Sequence, residues 1–260
     1  SCRRHSVTTT VMTQPVTAQR VWTRESDALE RALVIMAHPD DVDFTCAGTV
    51  ATLVNDGVDV RYCMVTNGEA GGNDRTLPRS EMAKIRQREQ VAAAAEVGVT
   101  EVIFLGHPDG RLEATLELRR DLSRVIRQTT PNLVIAPSPV RNLAVIYASH
   151  PDHLAAGEAA MDAVYPDSRN PFAHPELLEE GLEPHSVPLL WLTGGSGGNL
   201  AVDVTDTFKK KVAALARHES QGGNGSGMET LLSNWAKGNA AAAGLGEERL
   251  AEQFYEIRIG

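Results

Sequence analysis

The sequence predicts an α/β fold, a Rossmann-like, mainly parallel sheet flanked by helices in a single domain, and three observations carry that expectation. From residue 31 onward, short runs rich in β-branched and apolar residues alternate with longer segments of helical spacing, the pattern of consecutive βα units. A length of 260 residues with 42% hydrophobic content suffices for one substantial core and does not require a second. Two of the helical segments close on glycine, the residue best suited to a C-terminal cap.

In chain order, the first strand is expected over ALVIMA at 32–37 and a helix over 45–57. A second strand follows over VDVRYCMVT at 58–66, then a helix over 79–98, a strand over EVIFLG at 101–106, a helix over 116–129 and a strand over NLVIAP at 132–137. Another strand is read at PLLWLT, 188–193, and Phe208, Val212 and Leu215 recur at helical spacing late in the chain. Residues 166–188, with five prolines, and QGGNGSG at 221–227 read as loops. Residues 1–28 are set apart as a flexible N-terminal extension in which Met12 is an alternative start, leaving 29–260 as the domain.

Composition excludes several classes of function. A formal charge of -9 without any dense Lys/Arg stretch argues against nucleic acid as a partner. Cys2, Cys46 and Cys63 are far apart and form no C-x-x-C pair, so neither a disulfide framework nor a cysteine zinc site is indicated, and a reducing cytoplasm fits. No run approaches the roughly 18 apolar residues of a membrane span, so a soluble protein is expected. A homo-oligomer is compatible with these features.

The tripeptide His-Pro-Asp occurs at 38–40, 107–109 and 150–152. Alone it is a turn, with proline fixing φ and aspartate bonding local backbone. Two copies carry more. AHPDD follows the first strand directly and adds Asp41; SHPDH follows the strand at 132–137 and adds His153. Ligands of open α/β sheets sit beyond the carboxyl ends of the strands, so both motifs are expected on one rim. A catalytic zinc site takes three protein ligands from imidazole and carboxylate and keeps one position open; His38, Asp41 and His153 supply that set. Asp40 is the candidate general base for an attacking water. His150, as a cationic imidazole, is the candidate to stabilise negative charge on an amide oxygen and to protonate the leaving amine. His107 is followed by Gly110 and Arg111 rather than a further ligand and is read as non-ligating.

AHPDDVDFTCAGT after a first strand, together with SHPDH, resembles the LmbE-like or PIG-L family of N-acetylglucosaminyl deacetylases. The similarity extends to VTNGEAG at 65–71, to Arg86 and Glu89, to PDGRL at 108–112, and to HESQ at 218–221 and AEQF at 251–254. The resemblance implies one zinc ion per chain, or another divalent metal, held by His38, Asp41 and His153, with Asp40 as base. It implies removal of an acyl group from the 2-amino position of a glucosamine conjugate, a small-molecule partner. It also implies that Arg86 and Asp109 contact sugar hydroxyls. Val42 stands where the family often has an acidic residue, so Asp43 is read as structural; Tyr147, three residues before His150, is off the register of the family's tyrosine. His174, His185 and His218 are read as surface residues, Cys46 and Cys63 as small hydrophobes, and TGGSGG at 193–198 as a substrate-side loop. The competing readings are a non-catalytic Rossmann-like module for a sugar or nucleotide, disfavoured by the acidic HPDD turn where a phosphate would sit, and a metal-dependent hydrolase of a different amide.

Overall fold

The computed structural model describes residues 19–195 and 197–260. Cys2, Met12 and Ser196 of the glycine run lie outside them. The elements are strand β1 (Arg20–Val21), β2 (Arg31–Met36), helices α1 (Asp41–Thr45) and α2 (Ala47–Asn55), β3 (Asp59–Thr66), α3 (Arg79–Glu96), β4 (Val102–His107), α4 (Leu116–Thr129), β5 (Leu133–Pro137), α5 (Pro151–Val164), α6 (Glu176–Glu179), β6 (Leu189–Thr193), β7 (Leu200–Asp203), α7 (Phe208–Leu215), α8 (Met228–Ala242) and β8 (Ala251–Arg258). The strands form one sheet in the order β1-β7-β8-β6-β5-β2-β3-β4. Strands β4, β3, β2, β5 and β6 run parallel, while β8 is antiparallel to both β6 and β7. The Rossmann-like, mainly parallel expectation holds.

Period-two alternation explains why both faces are covered. Ala32, Val34 and Met36 of β2 face a cluster with Val50 and Leu53 of α2, Ala93 and Ala94 of α3 and Ala214 of α7. Leu33 and Ile35 face the other side, against Leu118, Leu122 and Ile126 of α4 and Ala156, Ala159 and Ala160 of α5. Helix α4 opens with Thr115, whose hydroxyl accepts from the Leu118 N–H, the side-chain cap that satisfies one orphan donor. Cys46 and Cys63 are buried in the two clusters. Among the described residues no helix is long and apolar enough to cross a membrane.

Several elements depart from the sequence expectation, strand β7 and helix α8 among them, which it does not include. Part of the stretch set aside as an extension is bound into the sheet: Arg20 and Val21 pair with Leu200 and Ala201 of β7, and Trp22 is buried with its ring 6.2 Å from that of Trp191, edge-on. The domain therefore begins before residue 29, because a two-residue strand ending in a core tryptophan carries too short a pattern to stand out. Strand β8 contains Glu252 and Glu256, which break its apolar alternation. Glu252 is buried nonetheless: it accepts from the Gly48 N–H (3.1 Å) and Thr49 N–H (2.6 Å) in the first turn of α2 and pairs with Lys211 at 2.5 Å. The proline-rich segment contains the short helix α6, and SHPDH runs into the fourteen-residue helix α5, which begins at Pro151.

Helix α5 comes close to the end of β5 at Gly157, where a Cβ would run into the Pro137 carbonyl oxygen and lie 2.9 Å from the Pro139 nitrogen. Backbone cannot yield as a side chain does. Gly157→Ala protein is expected to lose about 1–3 kcal/mol of stability, read as a lower urea midpoint at unchanged m-value.

Candidate metal centre

The site assembles at the carboxyl ends of β2, β4 and β5. After β2 the chain enters His38, and Asp40 takes the left-handed conformation (φ 98°, ψ −25°) immediately before α1. That turn sends the two consecutive carboxylates in different directions. Asp41 folds back so that its Oδ2 accepts from the His38 N–H at 2.8 Å, whereas the Asp40 carboxylate meets the Arg86 guanidinium on α3 at 2.9 Å. From the other side, His150 is the N-cap of α5 and its Nδ1 accepts the Asp152 N–H at 3.2 Å. Pro151 occupies the first helical position, where a missing N–H costs nothing, and His153 lies one turn in.

Asp41 stands between the two histidines. Its Oδ1 is 3.0 Å from His153 Nε2 and its Oδ2 is 3.4 Å from His38 Nδ1. The rings of His38, His150 and His153 lie 5.1–5.4 Å apart centre to centre. Among the described residues, donor atoms close enough to share one ion come from His38, His150 and His153, and again from His38, Asp109 and Asp152.

His38 and His153 each have the second nitrogen engaged. His38 Nε2 lies 3.2 Å from both Asp109 and Asp152, and Asp152 is itself held by the Gly110 N–H (2.7 Å) and Leu112 N–H (3.2 Å) from the turn after β4. His153 Nδ1 is 3.4 Å from the Ala148 carbonyl. A ligating histidine characteristically gives its remaining N–H to a carboxylate or carbonyl, which fixes ring and tautomer. His150 spends Nδ1 as an acceptor, leaving Nε2–H free, and its side chain is exposed at the mouth of the site.

The electrostatics follow from this crowding. For His38, burial alone favours the neutral ring, but Asp41, Asp109 and Asp152 outweigh it and push its pKa up to about 12. Burial would raise Asp41, yet His153 and His38 hold it well below the usual carboxylate range. Asp40 is pushed up to about 6 by burial, with Arg86 opposing and Asp41 adding to the rise. His150 is held below its ordinary value by burial and by the neighbouring His38 and His153, the direction opposite to the cationic imidazole expected from the sequence.

Arg86 and Asp109 do not face outward. Arg86 is buried and donates to the Pro39 carbonyl, to the Gly68 carbonyl at 3.0 Å and to Asp40. Asp109, also buried, accepts from the Ala70 N–H at 2.7 Å and faces His38. Both side chains are thus held by protein partners. Beside them, a cavity of about 550 Å³ is lined by Glu69, Gly71, Arg75, Arg79 and Met82. His107 is turned away onto Asp121 of α4 at 3.1 Å, and Tyr147 is almost wholly exposed.

Sequence reasoning assigns no role to Asp152, although it stands inside the SHPDH motif. His218, read as a surface residue, is completely buried, with Nε2 2.8 Å from Asp43. His174 is turned inward onto Asp167 at 3.1 Å and His185 onto the Pro131 carbonyl at 2.8 Å. Nothing in their local sequences signals this, because the partners lie on other elements or across a loop.

The family model described as PIG-L, GlcNAc-PI de-N-acetylase, matches residues 33–164, about half of the chain and the part holding every residue of the centre. The chain belongs to the PIG-L family. This PIG-L chain is 33% identical over 193 residues to the diacetylchitobiose deacetylase of Thermococcus kodakarensis, covering 74% of its own length and 70% of that protein. It is 30% identical to the probable N-acetyl-alpha-D-glucosaminyl L-malate deacetylase 2 of Bacillus anthracis, with 73% and 80% covered. Among solved structures, the N,N'-diacetylchitobiose deacetylase of Pyrococcus horikoshii, complexed with its inhibitor MPG, superposes with a TM-score of 0.80 at 31% identity, over 88% of this chain and 84% of that one.

Proposed function

We propose that this PIG-L member is a metal-dependent hydrolase that removes an acetyl or related acyl group from the 2-amino group of an N-acylglucosaminyl conjugate. One zinc ion would be held by His38, Asp41 and His153. The observation that carries this reading is the Asp41 carboxylate set between two imidazoles, with a second carboxylate, Asp40, turned from the same dipeptide toward a different side. The donor set suits a divalent ion of the zinc type, two ring nitrogens with a carboxylate, and the Asp152 carboxylate behind His38 is the outer partner such a ligand needs. When bound, an ion of this kind supplies Lewis acidity that polarises an amide carbonyl and lowers the pKa of water.

The remaining work falls to side chains. Asp40, pushed up to about 6, has the basicity to take a proton from the attacking water near neutral pH and still release it. His150 presents Nε2–H from the mouth of the site and donates to the carbonyl oxygen as charge develops there. Because burial and its neighbours hold His150 toward the neutral form, the leaving amine is assigned the proton that Asp40 has accepted. The cavity beside Asp109 is placed to take the part of the conjugate beyond the reacting sugar. The three relatives named above are described as deacetylases, of diacetylchitobiose or of N-acetyl-alpha-D-glucosaminyl L-malate.

The test is a panel of N-acetylated glucosamine conjugates, including diacetylchitobiose and N-acetylglucosaminyl malate, with acetate and free amine assayed together. Equal amounts of both products are expected from at least one conjugate, with about one metal per chain. Zinc-loaded protein that releases amine from none of them would remove the reading.

A further inference from the structure

We propose that Gln90, Asp43 and His218 are positioning residues for Asp40, forming a buried hydrogen-bond chain that fixes the backbone turn from which the base is presented. This rests on the reading of Asp40 as base. Asp40 is one of three non-glycine residues with positive φ among the described residues. A side chain is disfavoured in that region, and the conformation persists only where its surroundings over-determine it. Here the constraint is visible. The Asp40 N–H donates to Gln90 Oε1 at 2.8 Å; Gln90 Nε2 donates to Asp43 Oδ2 at 3.2 Å; and His218 Nε2 lies 2.8 Å from the same oxygen.

Gln90, Asp43 and His218 are each fully buried, at 0% exposure. A carboxylate and an imidazole in such a place are poorly explained by stability, since well-packed apolar groups serve a core as well or better. What they add is direction. Gln90 must turn its carbonyl to Asp40 because its amide is claimed by Asp43, and Asp43 is oriented in turn by His218. The chain joins three remote parts of the sequence: α1, α3 and the turn after α7. That turn is pinned a second time, with Glu89 accepting from the Ser220 N–H at 2.8 Å and from its hydroxyl at 2.7 Å. Asp43 also closes the loop on itself, since its N–H donates to the Asp40 carbonyl at 2.9 Å. Both peptide groups of Asp40 are thereby held, and its carboxylate lies on the side of Arg86.

The experiment is a hydrogen-bond swap with two readouts. Gln90→Leu protein removes the acceptor for Asp40 and the donor for Asp43; kcat should fall about 10- to 100-fold with KM within about twofold and metal content unchanged. Exchange of the Asp40 amide, followed by NMR without substrate, should accelerate at least about tenfold. Gln90→Glu alone opposes two carboxylates and should be equally slow. Adding Asp43→Asn restores the chain with reversed roles, since the amide nitrogen introduced where Asp43 Oδ2 stands would donate one hydrogen to the carboxylate introduced at position 90 and the other to His218 Nε2, which accepts in its Nδ1–H tautomer. The double variant should recover kcat to within about threefold of wild type. If Gln90→Leu protein does not fold, the swap pair decides. Unchanged kcat in Gln90→Leu protein, or a double variant no faster than Gln90→Glu, would overturn the proposal. Should the wild-type chain hydrolyse no conjugate, the functional reading has failed, and the placement of Asp40 is then judged by the amide alone.

Discussion

His153→Ala protein is expected to purify with little or no zinc and to lose turnover by roughly a thousandfold or more, whereas His150→Ala protein keeps its metal and loses turnover only. The pair of variants discriminates between two donor sets. His38, His150 and His153 bring ring nitrogens within reach of one ion, yet His150 is exposed and its Nδ1 caps α5. Asp41 instead lies between His38 and His153 and is almost enclosed. Loss of a ligand removes the Lewis acid, whose contribution of several kcal/mol corresponds to about three decades of rate at 1.36 kcal/mol per decade. Loss of His150 removes one hydrogen bond to the developing oxyanion, worth roughly 10²–10³ in kcat. Metal analysis beside kcat therefore reads the two roles separately; metal loss from His150→Ala protein would move Asp41 out of the ligand set.

Metal loading should also be strongly pH-dependent. In the metal-free chain His38 is held protonated by three carboxylates, its pKa pushed up to about 12, and a ligating imidazole must be neutral. Binding thus displaces a proton from His38, and affinity rises with pH across the neutral range. Once bound, an ion at about 1,000 times its Kd adds about 4 kcal/mol to stability. A chelator should lower the Tm of wild-type protein and leave that of His153→Ala protein where it is.

The parts legible in the sequence and the parts hidden from it divide along a physical line. Strands β2, β3 and β5 are covered on both faces, so their residues form continuous apolar runs that announce themselves. Likewise AHPDD and SHPDH concentrate donors over a few residues, and their position after parallel strands brings them to one rim. The antiparallel strand between β7 and β6 is different. Strand β8 uses Glu252 and Glu256 to hold α2, Lys211, Arg20 and Trp191, so its charges mimic a surface segment. His218 shows the same limit within the candidate site: its partner Asp43 is 175 residues away in sequence, and no local pattern carries that contact. Arg86 reads from the sequence as a sugar contact, and its bonds to Pro39, Gly68 and Asp40 are not legible there, because a helix position shows which face a residue shares and not which atom it meets.

Asp40→Asn protein, the shape-preserving change, is expected to bind metal normally and to lose about 10²–10⁴ in kcat, the usual worth of a positioned general base. Arg86 sharpens the assignment through pH. A base works when deprotonated, so the rate should rise as pH increases through the Asp40 pKa, which burial sets at about 6 against the opposing charge of Arg86. Removing that charge in Arg86→Gln protein leaves burial and the neighbouring Asp41 unopposed. The carboxylate is then harder to ionise, and the acid limb of kcat/KM must shift toward higher pH; a structural arginine elsewhere would lower the whole curve without moving it. In Asp40→Asn protein the limb should vanish, because the titrating group is gone. A limb that stays near pH 6 in the asparagine variant belongs to another residue, and the base must then be sought among the other carboxylates around His38. The two variants together make the direction of a pH shift, rather than the size of a rate loss, the deciding observation.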